Sequence, residues 1–467
     1  RFASHGRIGR SHPSWQGRGL TPRPHAMAPR LVIAVLAATC VARPTVAGDL
    51  EMLKVDLQSL VDASALKYNC SFSVAIKAPS LGATLSVASG MGVTPESTFA
   101  FGSITKMWTA VNIMQLVARG ELGLDEPAAP RVDAQLAAMK KSSAFPSMNF
   151  TRLRDLFGPR VETVTVRHLL SMQSGIPDFD TANPDDRTGK DVDPFRATVY
   201  AHPDREFYEP ALLSAPWVAI KKLTFTPGEG FGYSSTNFGL LGLILAHQAG
   251  VADYRDFNQS SFIPDSLAGV ANTISWAQRG SPRDHHVVPG FDRTDYNGQN
   301  ATETGGVPVV DVHGVFSGWS ASDFAGPTSA VAEIGYALYG NSSLLLPAAY
   351  RDAMLPRGRS FYGFGTMNVA FMGVTGNSGD FGEAYGHLGA TYGYDSIFAY
   401  NPRLDMAIAV ATNIETLSQG QPSEALCLVY NRVKNYLLGE NPQECKFANS
   451  KWGGRCECSS NQGVVIV

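Results

Sequence analysis

Two serine–lysine pairs in the sequence have the spacing needed for nucleophilic catalysis. Lys67 follows Ser64 by three residues, and Lys106 follows Ser103 by three. A serine hydroxyl is a weak nucleophile at neutral pH and needs a base beside it. Residues three apart on a helix share one face, and burial lowers the pKa of a lysine so that it can accept the serine proton. About one such pair is expected by chance in a chain of this length, so spacing alone does not choose between them.

The surroundings of the two serines favour Ser103. Ser64 lies in the middle of a predicted helix over residues 50–67, in a pattern typical of a solvated surface. Ser103 directly precedes a strongly apolar helix predicted over Ile104–Ala118. The free N–H groups and the dipole at the start of such a helix favour negative charge. The alternative for Ser103 is a helix N-cap without chemistry.

Three further segments accompany Ser103 along the chain. Tyr233 lies in the glycine-rich segment 227–242, on a predicted loop that enters a helix, and His387 lies in segment 385–393, before a bend near a strand. Segment 165–177 reads TVRHLLSMQSGIP. Together, in this order, these motifs resemble the serine β-lactamase and penicillin-binding-protein superfamily. Within it, the match is to class C β-lactamases, D,D-carboxypeptidases and related esterases, and it spans about residues 50–438.

The resemblance implies a role for each matching residue. Ser103 is expected to be acylated by the substrate, while Lys106 and Tyr233 move protons between Ser103 and the leaving group. The backbone N–H groups of Ser103 and Ala390 are expected to form the oxyanion hole, with Gly389 beside them. The expected activity is that of a secreted serine hydrolase acting on esters, amides or D-amino-acid peptides.

Two of the matching positions depart from the family pattern. The tyrosine motif usually ends in asparagine, and Ser235 offers a shorter hydroxyl there for binding the substrate and orienting Lys106; Asn237 is expected to point elsewhere. His387 stands where many relatives carry a lysine, and the resemblance implies a catalytic role for it. The alternative is a structural histidine whose hydrogen bonds are made within a turn. Because an unperturbed histidine is mostly neutral at pH 7, we expect esters or uncharged amides to be better substrates than carboxylates.

The chain is expected to have four parts. Residues 1–26 are interpreted as a non-native or untranslated leader. Residues 27–47 show a basic residue, a short apolar run and small residues in that order, which predicts a secretory signal peptide. A membrane anchor is the alternative, although the run is shorter than the roughly 20 apolar residues of a span. Residues 49–440 form the β-lactamase-related domain, and residues 441–467 form a cysteine-containing tail.

The net charge and the cysteines indicate which kinds of partner and which covalent bonds to expect. Residues 1–48 hold seven arginines and no acidic residue, so removing them shifts the formal charge from −3 to −10, which argues against nucleic acid. No cofactor, metal or membrane span of the mature chain is expected, and the partner is a small molecule or a short peptide. Five cysteines follow the predicted signal: Cys70, Cys427, Cys445, Cys456 and Cys458. The C-x-C spacing of Cys456 and Cys458 allows zinc, but the predicted signal favours disulfides. Acceptor triplets for N-linked glycans begin at Asn69, Asn149, Asn258, Asn300 and Asn341.

The residue pattern predicts an α+β fold. A helix and a hairpin open the domain, and strands and a helix close it, so both ends are expected to join in one antiparallel sheet flanked by helices. A mostly helical inserted subdomain lies between them, and the resemblance makes the fold β-lactamase-like. Long surface loops are predicted at 180–215 and 275–310. The predicted strands are Cys70–Lys77, Ala83–Ser89, Phe364–Met372, Asp395–Tyr400 and Met406–Thr412, and the clearest further helices are Val166–Met172, Phe238–Gln248 and Leu426–Leu438.

Two other functions compete with a hydrolase. One is a catalytically inactive β-lactamase-like protein that binds or scaffolds, because the family's asparagine and lysine are replaced. The other is a D,D-carboxypeptidase or transpeptidase, which needs an acceptor amine in its site. An α/β-hydrolase is excluded because the chain lacks the Gly-x-Ser-x-Gly pentapeptide.

Overall fold

Six strands from both ends of the chain form the central antiparallel sheet. The structure is a computed structural model that describes residues 46–445 apart from 143–144, 146–147, 181–182, 185–190, 299–304, 359 and 371–381. The strand Phe72–Lys77 pairs along its whole length with the strand Met406–Thr412, so the sheet joins segments from both ends of the chain, and the predicted α+β fold is confirmed. In spatial order the strands are β10 (Met367–Asn368), β11 (Tyr385–Thr391), β12 (Tyr394–Asn401), β13 (Met406–Thr412), β1 (Phe72–Lys77) and β2 (Leu85–Ser89).

Helices cover both faces of this sheet. Phe398 of β12 stacks against Tyr339, with ring centroids 6.2 Å apart, whereas Asp395 of the same strand accepts a 2.6 Å hydrogen bond from Gln421. Positions three apart on a strand point to opposite faces. The helix Thr328–Tyr339, which carries Tyr339, and the helix Gly420–Leu438, which carries Gln421, therefore lie on opposite sides of the sheet. Burial on both faces explains why β12 and β13 are buried at every position. The covering helices are α1 (Val46–Tyr68), α10 (Thr328–Tyr339) and α12 (Gly420–Leu438).

The inserted part between β2 and α10 is mostly helical. Helices α2 (Thr105–Ala118) and α8 (Ser235–Gln248) pack together in its centre. Both are apolar around most of their circumference, as expected for helices buried on all sides. The other helices are α3 (Ala129–Lys141), α4 (Leu153–Phe157), α5 (Val166–Leu170), α6 (Pro194–Ala201), α7 (Glu209–Leu213), α9 (Ala268–Ala271) and, after α10, α11 (Ala348–Met354). Short strands are β3 (Phe99–Ala100), β4 (Asn183–Pro184), β5 (Asp191–Val192), β6 (Ser275–Trp276), β7 (Phe291–Asp292), β8 (Val307–Pro308), β9 (Phe324–Gly326) and β14 (Ile414–Glu415).

The final strands differ from the predicted ones in two places. Of the strand predicted over Phe364–Met372, only Met367–Asn368 is a strand; 371 and 372 lie outside the described residues. Segment 385–393 is mostly strand β11, which was not among the predicted strands, and the bend predicted after His387 is the turn at Tyr392–Gly393. The two internal glycines of β11 lower the strand propensity of the sequence, and pairing with β12 compensates for this.

The predicted loop at 180–215 is also partly helical. Its described portion contains α6 and α7, which carry the buried polar residues Arg196 and Glu209. Arg196 is buried because Asp292 and Glu415 pair with it at 2.6 and 2.8 Å, and such partners from distant segments cannot be read from local sequence. Likewise, segment 275–310 contains the short strands β6, β7 and β8 rather than loop alone.

A disulfide joins Cys427 of α12 to Cys445, and Cys70 is a buried free thiol. Cys456 and Cys458, for which disulfides are preferred over zinc, lie outside the described residues, as do Asn300 and the predicted leader. The predicted signal peptide also lies outside them except for its last two residues. In the part of the chain described, no helix combines the length and the apolar character needed to cross a membrane. Four glycan-acceptor asparagines are exposed: Asn69, Asn149, Asn258 and Asn341.

Candidate active site

Ser103 lies in a 3-10 turn, Gly102–Ile104, immediately before α2. Gly102 has a φ of +51°, and a Cβ there would lie 2.3 Å from the carbonyl oxygen of Ala390. A Cβ on Gly389 would lie 2.0 Å from a backbone oxygen of the segment entering the turn. Only glycines allow the turn to approach β11 this closely. The two glycines therefore bring the partly exposed Ser103 hydroxyl to the edge of the sheet, and Gly389 acts through backbone packing.

Lys106, on the first turn of α2, is fully buried. Its Nζ donates to Ser103 Oγ at 2.8 Å, to Ser235 Oγ at 3.1 Å and to the carbonyl of Ala321 at 3.2 Å. Burial lowers the pKa of Lys106 to about 8, although nearby carboxylates oppose the shift. About a tenth of the molecules then carry a neutral amine at pH 7. Lys106 is therefore held beside Ser103 and is able to act as its base.

Tyr233 lies on the loop just before α8, as predicted. Its hydroxyl is hydrogen-bonded to the Ser103 side chain, and Lys106 Nζ lies 5.0 Å from the centre of its ring. Burial raises the pKa of Tyr233 well above its ordinary value, so the phenol keeps its proton near neutral pH. The three residues Ser103, Lys106 and Tyr233 thus form one cluster that contains a hydroxyl, a base and an acid.

The backbone of Ala390 faces this cluster from β11. Val369 N–H donates to the carbonyl of Ala384, and β10 pairs with Gly386 in the same register. Alternate residues of an antiparallel strand direct their N–H and C=O groups to the same side. The peptide groups of Gly386 and Ala390 therefore point to the side of β11 on which β10 pairs. Because β10 has only two residues, it ends before Ala390, and the Ser103 turn packs against Ala390 instead. The backbone of Ala390 therefore lies beside the turn that carries Ser103.

His387 is fully buried on β11 rather than placed at a turn. Its Nδ1 lies at hydrogen-bond distance from the carbonyl of Leu388, and its Nε2 lies 3.2 Å from Tyr362 Oη. A carbonyl can only accept, so Nδ1 carries the proton and the neutral ring accepts from Tyr362 at Nε2. Burial, with a contribution from Lys106, lowers the pKa of His387 to about 3. The ring centre lies 6.3 Å from that of Tyr233, so a neutral imidazole borders the cluster.

Ser235 takes part in the site, whereas Asn237 does not. Ser235, the first residue of α8, accepts a hydrogen bond from Lys106. Asn237 accepts from Ser174 at 2.6 Å, and its amide nitrogen lies 3.4 Å from Met172 Sδ. The prediction that Asn237 points elsewhere is confirmed.

Asp178 and Asp180 are site residues that the sequence reasoning missed. Asp178 Oδ1 accepts the backbone N–H of Ser235 at 2.8 Å, and both carboxyl groups interact electrostatically with Lys106. The available signal was their position directly after Pro177, the last residue of the segment TVRHLLSMQSGIP. An acidic residue beside a loop motif is common in surface turns, and nothing local links it to a lysine 72 residues earlier.

Aromatic side chains border the site beside Tyr233. Tyr362 lies 6.1 Å from Tyr233 between ring centroids. Phe231 contacts Phe361 with centroids 5.0 Å apart, and both are partly exposed. These rings form an apolar surface beside Tyr233, and the sequence reasoning missed them because they come from separate segments.

The second serine–lysine pair is structural. Lys67 Nζ pairs with Glu424 at 2.6 Å on the protein surface, and Ser64 Oγ donates to the carbonyl of Leu60 at 3.0 Å. Ser64 is buried, which corrects the expectation of a solvated position. Among the residues that the structure describes, Ser64 and Lys67 make these hydrogen bonds and none to the Ser103 cluster. Ser103 is therefore the serine that has a buried base.

The fold is of the serine β-lactamase and penicillin-binding-protein type. It is similar to D-amino acid amidase from Ochrobactrum anthropi SV3, with a TM-score of 0.59, 19% identity and coverage of 83% of this chain and 99% of that chain. A D-stereospecific amidohydrolase from Streptomyces sp. gives a TM-score of 0.57 at 18% identity, with coverage of 83% and 99%. The octameric penicillin-binding protein homologue from Pyrococcus abyssi gives 0.56 at 21%, with coverage of 84% and 79%.

The family follows from the sequence comparison. The model of the family described as Beta-lactamase matches residues 81–426, most of the chain, and this protein belongs to that family. Penicillin-binding protein 4* of Bacillus subtilis (strain 168) is 26% identical over 315 residues, which cover 65% of this chain. The same alignment covers 57% of the Bacillus protein, so the chain spans less than two thirds of that relative's length. The family match and the similarity to a penicillin-binding protein place it in a superfamily of serine hydrolases.

Proposed function

We propose that this protein is a secreted serine hydrolase that forms an acyl-enzyme at Ser103 with esters, amides or D-amino-acid peptides. The observation that carries the proposal is the 2.8 Å contact between Ser103 Oγ and the fully buried Nζ of Lys106. A buried lysine with a pKa of about 8 can act as a base for a serine hydroxyl, because a general base works best when its pKa is close to the pH of the reaction.

The first half of the proposed reaction forms the acyl-enzyme. Neutral Lys106 takes the hydroxyl proton as Ser103 Oγ attacks the substrate carbonyl carbon, and the carbonyl oxygen becomes an oxyanion bound by the N–H groups of Ser103 and Ala390. Tyr233 gives its phenolic proton to the leaving amine or alkoxide as the bond to carbon breaks. The Lys106 ammonium then returns a proton to Tyr233, so the acyl-enzyme begins with the same protonation as the free enzyme.

The second half hydrolyses the ester at Ser103. Water gives a proton to the neutral Lys106 as its oxygen attacks the acyl carbon, and the oxyanion forms in the same hole. When the bond to Ser103 Oγ breaks, Ser103 takes the proton back and the carboxylic acid leaves. No group outside the Ser103 cluster and the Ala390 backbone is needed for the proton balance.

The neutral His387 bears on the kind of substrate. A carboxylate bound beside β11 would meet an imidazole that stays uncharged above about pH 3. The single N–H of this ring is already directed to the Leu388 carbonyl, so His387 offers the carboxylate no cationic partner. Esters and uncharged amides are therefore proposed as better substrates than carboxylate-bearing β-lactams or peptides. The partly exposed Phe231 and Phe361 favour an apolar group on the substrate.

The deciding experiment compares wild type with Ser103→Ala. A panel of p-nitrophenyl esters, D-amino-acid amides and a chromogenic cephalosporin is assayed with both proteins, and a fluorophosphonate probe tests covalent labelling. We expect turnover and labelling of wild type only, with esters or amides ahead of the cephalosporin. Equal labelling of both proteins, or of neither, indicates the non-catalytic binding function instead. Efficient cephalosporin hydrolysis with little esterase activity contradicts the substrate preference.

Secretion is supported by the segment 27–47 and by the Cys427–Cys445 disulfide, a bond typical of oxidising compartments. The test is the N-terminus and the glycan content of the protein recovered from the culture medium. Protein recovered only from the cytosol, with residues 27–47 intact, contradicts secretion.

A further inference from the structure

Two carboxyl groups are connected to Lys106 through Ser235. Asp178 Oδ1 accepts the Ser235 backbone N–H at 2.8 Å, and the Asp180 carboxyl is hydrogen-bonded to the side chains of both Ser235 and Asp178. Ser235 Oγ accepts from Lys106 Nζ, which also donates to Ser103 Oγ. A continuous chain of hydrogen bonds therefore runs from the nucleophile to the carboxyl pair.

The proton content of this chain follows from its donors and acceptors. An ionised carboxylate only accepts, so the bond between Asp178 and Asp180 needs one proton on one of them. Two adjacent carboxylates resist ionising together, and burial accordingly raises the pKa of Asp180 well above its ordinary value. The pair therefore carries a single negative charge. Because Ser235 Oγ accepts from Lys106, its own hydroxyl proton is directed to Asp180.

We infer that Asp178 and Asp180 act as one singly charged pair that holds Lys106 Nζ against Ser103 through the Ser235 hydroxyl. They are positioning residues, since they act on the nucleophile only through Ser235 and Lys106. Ser235 stands where the tyrosine motif of the family usually ends in asparagine, and its shorter hydroxyl contacts Lys106 on one side and Asp180 on the other. The inference rests on the proposed function, because it assigns the pair a role in that site.

Three other titratable groups come near Lys106: Tyr233, His387 and Asp323. Tyr233 faces it from the loop before α8, and burial raises its pKa well above the ordinary value. His387 faces it from β11 with a pKa lowered to about 3. Asp323 follows the Ala321 carbonyl by two residues, and burial raises the pKa of its carboxyl well above the ordinary value. Asp180 and Asp178 are the carboxyl groups whose charge raises the pKa of Lys106, against the effect of burial.

The first test measures the pKa of Lys106 by NMR of lysine-labelled protein, with the signal assigned from Lys106→Arg. Either single variant, Asp178→Asn or Asp180→Asn, leaves one carboxyl that ionises alone, so the negative charge persists and the pKa stays within about 0.3 units of wild type. The double variant loses the charge, and the pKa falls by about one unit. Asp311→Asn, which removes an exposed carboxylate paired with Arg283, is the control and leaves the pKa unchanged.

The second test separates positioning from charge. We expect Asp180→Ala and Ser235→Ala each to lower kcat about tenfold or more, while Asp180→Asn, which still accepts from Ser235, stays within about threefold. Combining Ser235→Ala with Asp180→Ala should lower kcat no further than about twofold below Ser235→Ala, because both act through one hydroxyl. Thermal melting of each variant reports folding separately.

Two results overturn the inference: a Lys106 pKa that is equal in the double variant and wild type, or losses at Ser235 and Asp180 that multiply. The NMR titration needs no turnover. If Ser103 proves inert towards every substrate, the proposed function fails, and the pKa comparison still decides the role of the pair.

Discussion

The pH dependence of turnover offers the sharpest check on Lys106. With a pKa of about 8, half of the lysines are neutral at pH 8 and about 1% at pH 6. If neutral Lys106 is the base for Ser103, kcat/KM should fall about fifty-fold between these pH values and level off above pH 9. Tyr233 and His387 do not titrate between pH 6 and 9, because their pKa values lie above and below that range.

Two variants make the assignment specific. Lys106→Arg should lower kcat/KM at least 1,000-fold, because a guanidinium does not lose its proton in this range. Lys67→Arg is the matched control, since Lys67 has the same spacing from a serine but pairs with Glu424 at the surface; it should leave kcat/KM unchanged. Glu209, whose pKa is also about 8, lies on α7, and Glu209→Gln should leave the midpoint unchanged.

The assay is the initial rate of an uncharged ester, read between pH 5.5 and 9.5, with the rate of Ser103→Ala subtracted as background. A profile that is flat within threefold from pH 6 to 9 refutes Lys106 as the base. So does a Lys106→Arg variant that retains more than a tenth of the activity.

Three further outcomes concern packing and stability. Gly102→Ala should lower kcat/KM at least tenfold with unchanged circular dichroism, since its Cβ would lie 2.3 Å from the Ala390 oxygen at a positive φ; wild-type rates would contradict this. Burial raises the pKa of Glu209 from 4.5 to about 8, so the folded state binds more protons and stability falls as pH rises between these values. Urea unfolding at pH 5 and pH 8 measures this fall in the free energy of unfolding, which is of the order of several kcal/mol, and Glu209→Gln should remove much of it. The same fall in the variant as in wild type would refute this. Cys427→Ser opens the 18-residue loop to Cys445 and should cost about 3 kcal/mol, and an unchanged melting temperature would contradict it.

Much of the fold was predictable because its signals are local. The boundaries of β13 match the predicted strand at both ends, and β1, β2 and β12 lie close to their predicted positions. Strands rich in β-branched or alternating apolar residues can be predicted because these residues favour the extended conformation. Strand β11 was missed because its two glycines carry no such signal. Helices α6 and α7 were missed because buried charges such as Arg196 resemble surface residues until their partners are known.

What the sequence by itself determined is the chemistry available: a serine and a lysine three residues apart, a tyrosine and a histidine in family order, and glycines that let a turn approach a strand. These features are local, and the three-residue spacing is enough to bring Lys106 within reach of Ser103 in the turn just before its helix. The tertiary structure decided which serine has a base, because Lys106 is buried among segments far apart in the sequence and Lys67 is not. It also decided that His387 is neutral and that Asp178 and Asp180 stand behind Ser235. A pKa depends on burial and on charges reached through space, and only the folded chain sets those distances.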